Sequence, residues 1–306
     1  MKFFFFLFSL FLCEILNAQS DTIRLIKMNS GHLAAYITLQ NSIDAKIMLE
    51  SGIPFPILDS IFVFRNKEKM NIQIDPSEIS MNFNGRKLRC YHQTSDTIFV
   101  NHQMCTGTTL IADLSSRGID MMYPIQAFVN PIDFASCIVE LDIQCKFMRY
   151  MSGRELSSIE SQYEKFDMDN DELGKMYSFN SKFSVRDTTG RETVLDGRFI
   201  PDLGNVMFLA LFENHSDVSD FIRCTNIQLQ QGYNKKGMPL PVKVMPVYES
   251  VLGDKEIFSN ITIITTPFYT QLKSDGFLGL DFLKHFNVVF DFSNNKFYLK
   301  RICNGD

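Results

Sequence analysis

The segment Asn287-Val-Val-Phe-Asp-Phe-Ser-Asn-Asn-Lys-Phe297 decides the fold, because an earlier segment of the chain matches it. The earlier segment is Cys137-Ile-Val-Glu-Leu-Asp-Ile-Gln-Cys-Lys-Phe147, and both contain an apolar strand, an aspartate and a final Lys-Phe. Internal repeats mark units of similar structure, and they carry more information than single motifs. The chain is therefore expected to contain two related halves.

Each half also has an acidic residue at the end of an apolar strand, two positions before a glycine. These turns are Glu50-Ser51-Gly52 in the first half and Asp202-Leu203-Gly204 in the second. Asp142 of the first repeat follows Glu50 by 92 residues, and Asp291 of the second repeat follows Asp202 by 89. Two correspondences at nearly equal spacing predict an internal duplication with pseudo-twofold symmetry.

The rest of the chain has the pattern of short strands separated by Gly, Asn, Asp or Pro, which predicts an all-β fold. Asn84-Gly85 is a strong signal for a two-residue hairpin, because both central residues of that turn need positive φ. Helices are expected to be few and short, around residues 59–64, 125–129, 157–166, 218–222 and 282–285.

The domain organisation follows from a change in composition near the middle of the chain. Residues 152–175 are rich in serine and carry an acidic run at Asp167, Asp169, Asp171 and Glu172, which predicts a linker. The expected divisions are an N-terminal lobe at residues 19–151 and a C-terminal lobe at residues 176–306.

The N-terminus predicts export. Lys2 precedes a ten-residue run from Phe3 to Leu12 in which only Ser9 is polar, and Ala18 suits cleavage before Gln19. Such a run spans about half of the hydrocarbon core, so a signal peptide at residues 1–18 is favoured over an uncleaved anchor. The protein is expected in the periplasm or outside the cell, with no stable membrane span after cleavage. The six cysteines that remain permit up to three disulfides, and buried thiols are the alternative.

Charge and motifs exclude several other function classes. The formal net charge of the 306-residue chain is −5 and its lysines and arginines are scattered, so no nucleic-acid partner is expected. The five histidines, at positions 32, 92, 102, 215 and 285, lack metal-ligand spacing. There is no phosphate loop and no Gly-x-Ser-x-Gly elbow. Neither a metal nor a cofactor is expected.

The repeated acidic turn suggests a specific chemistry. A glycine two positions after the acid allows a tight turn that presents the carboxylate, and two such turns facing each other bring Glu50 and Asp202 together. Two carboxyls in contact share one proton, because both cannot ionise at about 3 Å. Such a pair can activate a water and protonate a leaving amine.

Segment 275–283, followed by residues 286–292 and 296–299, resembles the closing segment of the retropepsin-like and pepsin-like aspartyl proteases, particularly the bilobed exported kind of Bacteroidetes-type bacteria. Residues 36–58 resemble the opening hairpin and active-site turn of the same family. The resemblance implies a two-lobed pepsin-like β-barrel fold that holds an extended peptide or protein in the cleft. It also implies that Glu50 and Asp202 are catalytic, supported by the turn residues Ser51, Gly52, Leu203 and Gly204.

The turns depart from the Asp-Thr-Gly or Asp-Ser-Gly of that family. Glu50 adds a methylene, and Leu203 lacks the hydroxyl that locks the two turns together. The first-half counterpart of strand 276–279 is expected at residues 118–123, which lack its second glycine. Two functions therefore stay open: an aspartic-type endopeptidase of impaired activity, and an inactive pseudoprotease that binds a peptide or protein partner.

Overall fold

The computed structural model describes residues 22–40, 42–83, 86–93, 97–100, 103–106, 108–115, 124–134, 138–170, 176–186, 190–225, 228–233, 239–252, 256–266 and 272–302. Within these ranges the chain is mostly β-strand, which confirms the all-β prediction. The predicted signal peptide at residues 1–18, the turn residues Asn84 and Gly85, and segment 118–123 lie outside the described residues.

Among the described residues, the first half contributes twelve strands and two short helices. The strands are β1 (Ile23–Lys27), β2 (Leu33–Leu39), β3 (Ile43–Leu49), β4 (Ile57–Asp59), β5 (Ile74–Phe83), β6 (Arg86–Gln93), β7 (Thr97–Val100), β8 (Gln103–Thr106), β9 (Leu110–Ala112), β10 (Ala127–Val129), β11 (Ile138–Asp142) and β12 (Phe147–Tyr150). Helices occupy Ser60–Arg65 and Lys67–Met70, and a 3-10 turn occupies Pro131–Phe134. Asp59 begins the first helix by accepting the N–H of Phe62 at 2.9 Å.

The second half contributes ten strands. They are β13 (Glu164–Asn170), β14 (Tyr177–Arg186), β15 (Glu192–Pro201), β16 (Leu209–Phe212), β17 (Gln228–Tyr233), β18 (Pro239–Leu252), β19 (Glu256–Thr266), β20 (Gly276–Leu278), β21 (Phe286–Asp291) and β22 (Lys296–Arg301). Helices occupy Gly153–Ile159, Ser216–Cys224 and Leu280–Leu283, and a 3-10 turn occupies Glu160–Gln162.

The strands that precede the two acidic turns have equivalent neighbours in the two halves. In the first half β3 pairs in parallel with β10, which pairs antiparallel with β4, and β4 pairs in parallel with β9. In the second half β15 pairs in parallel with β20, which pairs antiparallel with β16, and β16 pairs in parallel with β19. The described strands of the two halves thus follow one pairing scheme around their acidic turns.

Strands β11 and β21 join the two halves by pairing antiparallel with each other. Ile138 lies opposite Asp291, Asp142 lies opposite Asn287, and Glu140 lies opposite Val289 at the centre. Strands β12 and β22 flank this pair, so the two matching sequence segments lie side by side in one sheet. Glu140 is buried and forms an ion pair with Arg149 of β12.

The hairpins that follow β11 and β21 also match. Cys145 N–H donates to Asp142 Oδ1 at 2.7 Å, and Asn294 N–H donates to Asp291 Oδ1 at 3.1 Å. Each turn then passes through a residue with positive φ, which is Lys146 at 58° in the first and Asn295 at 52° in the second. The aspartates that the sequence comparison paired therefore have the same role, as acceptors inside a tight turn.

Residues 152–170, the described part of the segment predicted as a linker, form regular structure. Ser152 and Glu155 form a reciprocal capping box at the start of helix Gly153–Ile159. Strand β13 then pairs with β22 and β14 and so belongs to the sheet. The acidic residues Asp167 and Asp169 are explained by this strand, since both are exposed on the same face of it and form ion pairs with Lys296 and Arg198.

The helix expected around residues 125–129 is wrong, because Ala127–Val129 is strand β10. Its three residues are all buried between β3 and β4. A short, continuously apolar run has the same pattern whether it forms a buried strand or a buried helix. The expected helix at residues 218–222 is confirmed within Ser216–Cys224.

The core is apolar and rich in phenylalanine, with Phe179, Phe199 and Phe297 among its fully buried side chains. The sequence pattern of the strands accounts for it, since β2 and β14 alternate buried and exposed residues while β10 and β20 are buried throughout. None of the helices among the described residues is long and apolar enough to cross a membrane.

Candidate active site

The first acidic turn begins where β3 ends. The N–H of Glu50 donates to Val129 O of β10 at 2.9 Å, which extends the parallel pairing by one residue. The N–H of Gly52 then donates to Glu50 Oε1 at 2.9 Å. The turn therefore folds back so that its own amide holds the glutamate carboxyl.

The second acidic turn is built in the same way. The N–H of Asp202 donates to Leu278 O of β20 at 2.8 Å. The N–H of Gly204 donates to Asp202 Oδ1 at 2.9 Å. Because β10 and β20 occupy corresponding places beside β3 and β15, the two turns receive equivalent backbone support.

The structure brings the side chains of Glu50 and Asp202 together, close enough for each carboxyl to shift the pKa of the other. They are 8% and 6% exposed, so the contact is almost closed to solvent. Each carboxyl also lies against the glycine of the opposite turn. A Cβ on Gly52 would lie 2.9 Å from Asp202 Oδ1, and a Cβ on Gly204 would overlap the Glu50 carboxyl. Both glycines are therefore needed for close approach of the two turns.

Burial and mutual repulsion make the two carboxyls unequal acids. Burial raises the pKa of Glu50 well above its usual range, and the negative charge of Asp202 raises it further. Burial also raises the pKa of Asp202, but the hydrogen bond from Glu50 and the amides of Gly204 and Gly52 oppose this rise. Both pKa values are raised, so the pair favours one shared proton over two negative charges.

Ser51 links the two turns through its side chain. Its hydroxyl donates to Pro201 O at 2.7 Å and accepts the N–H of Leu203 at 2.9 Å. Leu203, the residue in the corresponding place of the second turn, is fully buried in the apolar core. Its side chain has no polar atom with which to return these bonds, so the link between the turns runs in one direction.

The turns rest on aromatic side chains. A cavity of about 10 Å³ beneath Ser51 and Pro201 is lined by Tyr177, Phe290 and Phe292. It has room for about one water. Phe290 and Phe292 stack with ring centroids 5.5 Å apart. Little empty space is therefore left between Ser51, Pro201 and these aromatic rings.

One side chain at the site was missed by the sequence analysis, which tested His32 for metal spacing alone. His32 is buried, and its Nε2 lies 3.0 Å from Gly204 O of the opposite half. No motif marks a histidine that lies 172 residues from its partner. The signal that would have found it is its place directly before β2, the first strand of the hairpin that carries Glu50.

The first-half counterpart of strand 276–279 is β10 with Asn130, and not segment 118–123. Gly279 has no room for a side chain, since a Cβ would overlap the carbonyls of Asn205 and Met207. Asn130 follows β10 as Gly279 follows β20, and its side-chain amide donates to Ile53 O at 3.2 Å. The first half thus has an asparagine that bonds to its turn through the side-chain amide, where the second half has a glycine whose backbone packs closely against its turn.

Among the described residues, no group of three or more His, Cys, Asp or Glu side chains is arranged to hold a metal ion. Cys90, Cys145 and Cys224 take part in no disulfide. Cys13, Cys137 and Cys303 lie outside the described residues, as does the side chain of Cys105. The candidate site therefore consists of the two carboxyls and the groups that hold them.

Comparison with models of known protein families gave no match, and comparison with curated proteins gave none either. The geometry of the two carboxyls indicates the chemistry of the site. Two carboxyls that share a proton can act together as a base and an acid on one substrate, since one is ionised while the other is protonated.

Proposed function

We propose that the protein is an exported aspartyl-protease-like protein that hydrolyses peptide bonds with a water activated between Glu50 and Asp202. One observation carries the proposal: two acidic turns from opposite halves place their buried carboxyls together, each against the glycine of the opposite turn. A pair of this kind occurs when two like charges are held close enough to share a proton.

The fold that we propose is two-lobed and pepsin-like, with a pseudo-twofold axis through the centre of the β11–β21 pair. A half-turn about the Glu140–Val289 pair exchanges Asp142 with Asp291 and Ile138 with Asn287, as the observed register allows. The matching strand order around the two turns supports the same symmetry. In this arrangement the substrate lies above the two turns, between the lobes.

In the proposed reaction the two carboxyls have separate roles. Asp202 takes a proton from the attacking water as the water oxygen bonds to the peptide carbonyl carbon. Glu50 donates its proton to the carbonyl oxygen, which gives a neutral tetrahedral intermediate. The C–N bond then breaks as the amine nitrogen receives a proton and the diol loses one to the pair. The products are a neutral carboxylic acid and a neutral amine, and the pair again holds one proton and one negative charge.

A second candidate function is a binding module that holds a peptide in the same cleft without cleaving it. The observation that favours it is the one-sided link from Ser51, together with the extra methylene of Glu50. Displacements of about 1 Å at a reacting group can cost on the order of 10²-fold in rate. Strand-like peptide binding through main-chain hydrogen bonds does not need that precision.

The experiment that tests the proposal follows cleavage of an unfolded protein by residues 19–306 across pH 3 to 7. Asp202→Asn is expected to abolish cleavage, because an amide cannot accept the proton from water. Asp196→Asn is the matched control, since Asp196 is an exposed residue of the same strand β15. Its rate is expected to equal that of the natural sequence.

Glu50→Asp separates the two candidate functions. Shortening the side chain restores an aspartate pair, so an impaired protease is expected to cleave faster. Cleavage that Asp202→Asn leaves intact would overturn the proposal. If no variant cleaves and peptides still bind, the binding module is the function.

A further inference from the structure

His32 connects the first half to the acidic turn of the second. It directly precedes β2, it is 6% exposed, and its ring contacts groups at both nitrogens. Nδ1 lies 3.0 Å from Ser30 Oγ and Nε2 lies 3.0 Å from Gly204 O. A carbonyl oxygen only accepts, so Nε2 carries a proton and donates it to Gly204 O.

The backbone around His32 is shaped to make this contact. Gly31 has a φ of +90°, a backbone conformation that residues other than glycine rarely adopt. A Cβ on Gly31 would lie 3.3 Å from Cγ1 of Val206, two residues beyond Gly204. The Gly31-His32 segment therefore packs directly on the segment that follows the second acidic turn.

Among the described residues, the place in the second half that corresponds to His32 holds a methionine. Met176 precedes β14 as His32 precedes β2, and a methionine side chain has no N–H to donate. The first turn supplies the hydroxyl of Ser51, which bonds across the halves, whereas the second turn has Leu203. The half that lacks a hydroxyl on its own turn is thus the one that receives the imidazole.

We propose that His32 is a positioning residue for Asp202, and that its imidazole supplies the cross-half hydrogen bond that Leu203 cannot make. The bond fixes the carbonyl of Gly204, and the N–H of the same residue donates to Asp202 Oδ1 at 2.9 Å. Holding Gly204 therefore holds the Asp202 carboxyl in its orientation. The inference rests on the proposed function for its catalytic meaning, while the positioning itself is measurable without any substrate.

Two readouts test the positioning role: the NMR titration midpoint of the Asp202 carboxyl and the hydrogen-exchange rate of the Gly204 amide. His32→Leu removes the donor, and the Gly204 amide is expected to exchange about tenfold faster, as for one lost buried hydrogen bond. The Asp202 midpoint is expected to move upward, because the Gly204 amide that lowers its pKa is held less firmly. His32→Gln keeps a side-chain N–H and is expected to retain most of both values.

Leu203→Thr supplies the rescue. Added to His32→Leu, it gives the second turn a hydroxyl for the cross-half bonds and is expected to return both readouts toward those of the natural sequence. The matched control is His215→Leu, which removes a partly buried histidine bonded to Asp275 in the second half. Neither readout is expected to change in that control.

If His32→Leu does not fold, the natural sequence still decides the matter. Long-range NMR of the imidazole is expected to show a proton on Nε2 and a scalar coupling to the Gly204 carbonyl. An Nε2 atom that carries no proton would overturn the inference. So would a His32→Leu variant in which the Asp202 titration and the Gly204 amide exchange are unchanged. None of these measurements needs cleavage, so a chain that hydrolyses nothing refutes the proposed function and leaves this inference standing.

Discussion

Ser51 and Leu203 occupy corresponding places in the two acidic turns, and of these two side chains only that of Ser51 forms hydrogen bonds across the halves. Its hydroxyl reaches Pro201 O at 2.7 Å and the N–H of Leu203 at 2.9 Å. The two acidic turns thus lie in contact, although only one of these two corresponding side chains supplies hydrogen bonds between them. This asymmetry decides how the site should respond to substitution.

Ser51→Ala is expected to destabilise the protein by about 2–4 kcal/mol, because it leaves two buried backbone groups, Pro201 O and Leu203 N–H, without their partner. Chemical denaturation measures the loss. Ser157→Ala is the control, since Ser157 is exposed on helix Gly153–Ile159 and its change is expected to stay within about 0.5 kcal/mol. A loss below about 1 kcal/mol for Ser51→Ala would mean that the link contributes little.

Gly204→Ala is expected to separate the two carboxyls. The new methyl would occupy the place of the Glu50 carboxyl, which must then swing away from Asp202. Cleavage is expected to fall by about 10²-fold or more. Gly52→Ala, whose Cβ would lie 2.9 Å from Asp202 Oδ1, is expected to have a smaller effect. Equal rates for Gly204→Ala and the natural sequence would contradict the observed packing.

Gly279→Ala is expected to cost about 3 kcal/mol or more, because its Cβ would overlap two backbone carbonyls that cannot move independently. Thermal or chemical unfolding measures this. Gly153→Ala is the control: a Cβ there meets no atom within 4 Å. If both substitutions have equal effects, β20 does not run as close to the second turn as the structure has it.

Stability is expected to depend on pH through Glu50. Its pKa in the folded chain is raised, so its stabilising contribution is complete below the ordinary glutamate pKa and is lost as pH rises through the folded value. Glu50→Gln cannot ionise, so it is expected to gain stability relative to the natural sequence as pH rises from the ordinary glutamate pKa to the raised pKa of the folded chain. Each unit of pKa difference corresponds to about 1.4 kcal/mol.

Denaturant unfolding at several pH values checks the direction of this change. Glu192→Gln serves as the control, since Glu192 is exposed at the start of β15. A stability difference between Glu50→Gln and the natural sequence that stays constant with pH would contradict the raised pKa.

The sequence was sufficient to predict the strand-rich fold and the meeting of Glu50 with Asp202. Both predictions used repeated features, and a repeat is visible in one sequence because each copy is compared with the other. The hairpin expected at Asn84-Gly85 agrees with the pairing of Phe83 with Arg86 on its two sides. A tight turn depends on the residues within it, so it can be predicted from the sequence alone.

Features set by tertiary contacts could not be predicted in this way. Ala127–Val129 has an apolar run too short to distinguish a strand from a helix, and its pairing with β3 and β4 makes it a strand. Segment 118–123 was expected to be the counterpart of strand 276–279, whereas β10 has the corresponding pairing and Asn130 after it bonds to the first turn through its side chain. His32 was passed over because its partner, Gly204 O, is a backbone atom of the other half.

The most direct test of the central claim is the titration of the Glu50 carboxyl, followed by ¹³C NMR in the natural sequence and in Asp202→Asn. We expect Glu50 to titrate well above the ordinary glutamate value of about 4.3, because it is buried against a second carboxyl. In Asp202→Asn the pKa of Glu50 should be lower than in the natural sequence, because the charge of Asp202 is gone. It should still lie above the ordinary glutamate value, because Glu50 stays buried. A Glu50 that titrates at the ordinary value, unmoved by Asp202→Asn, would show that the two carboxyls share no proton.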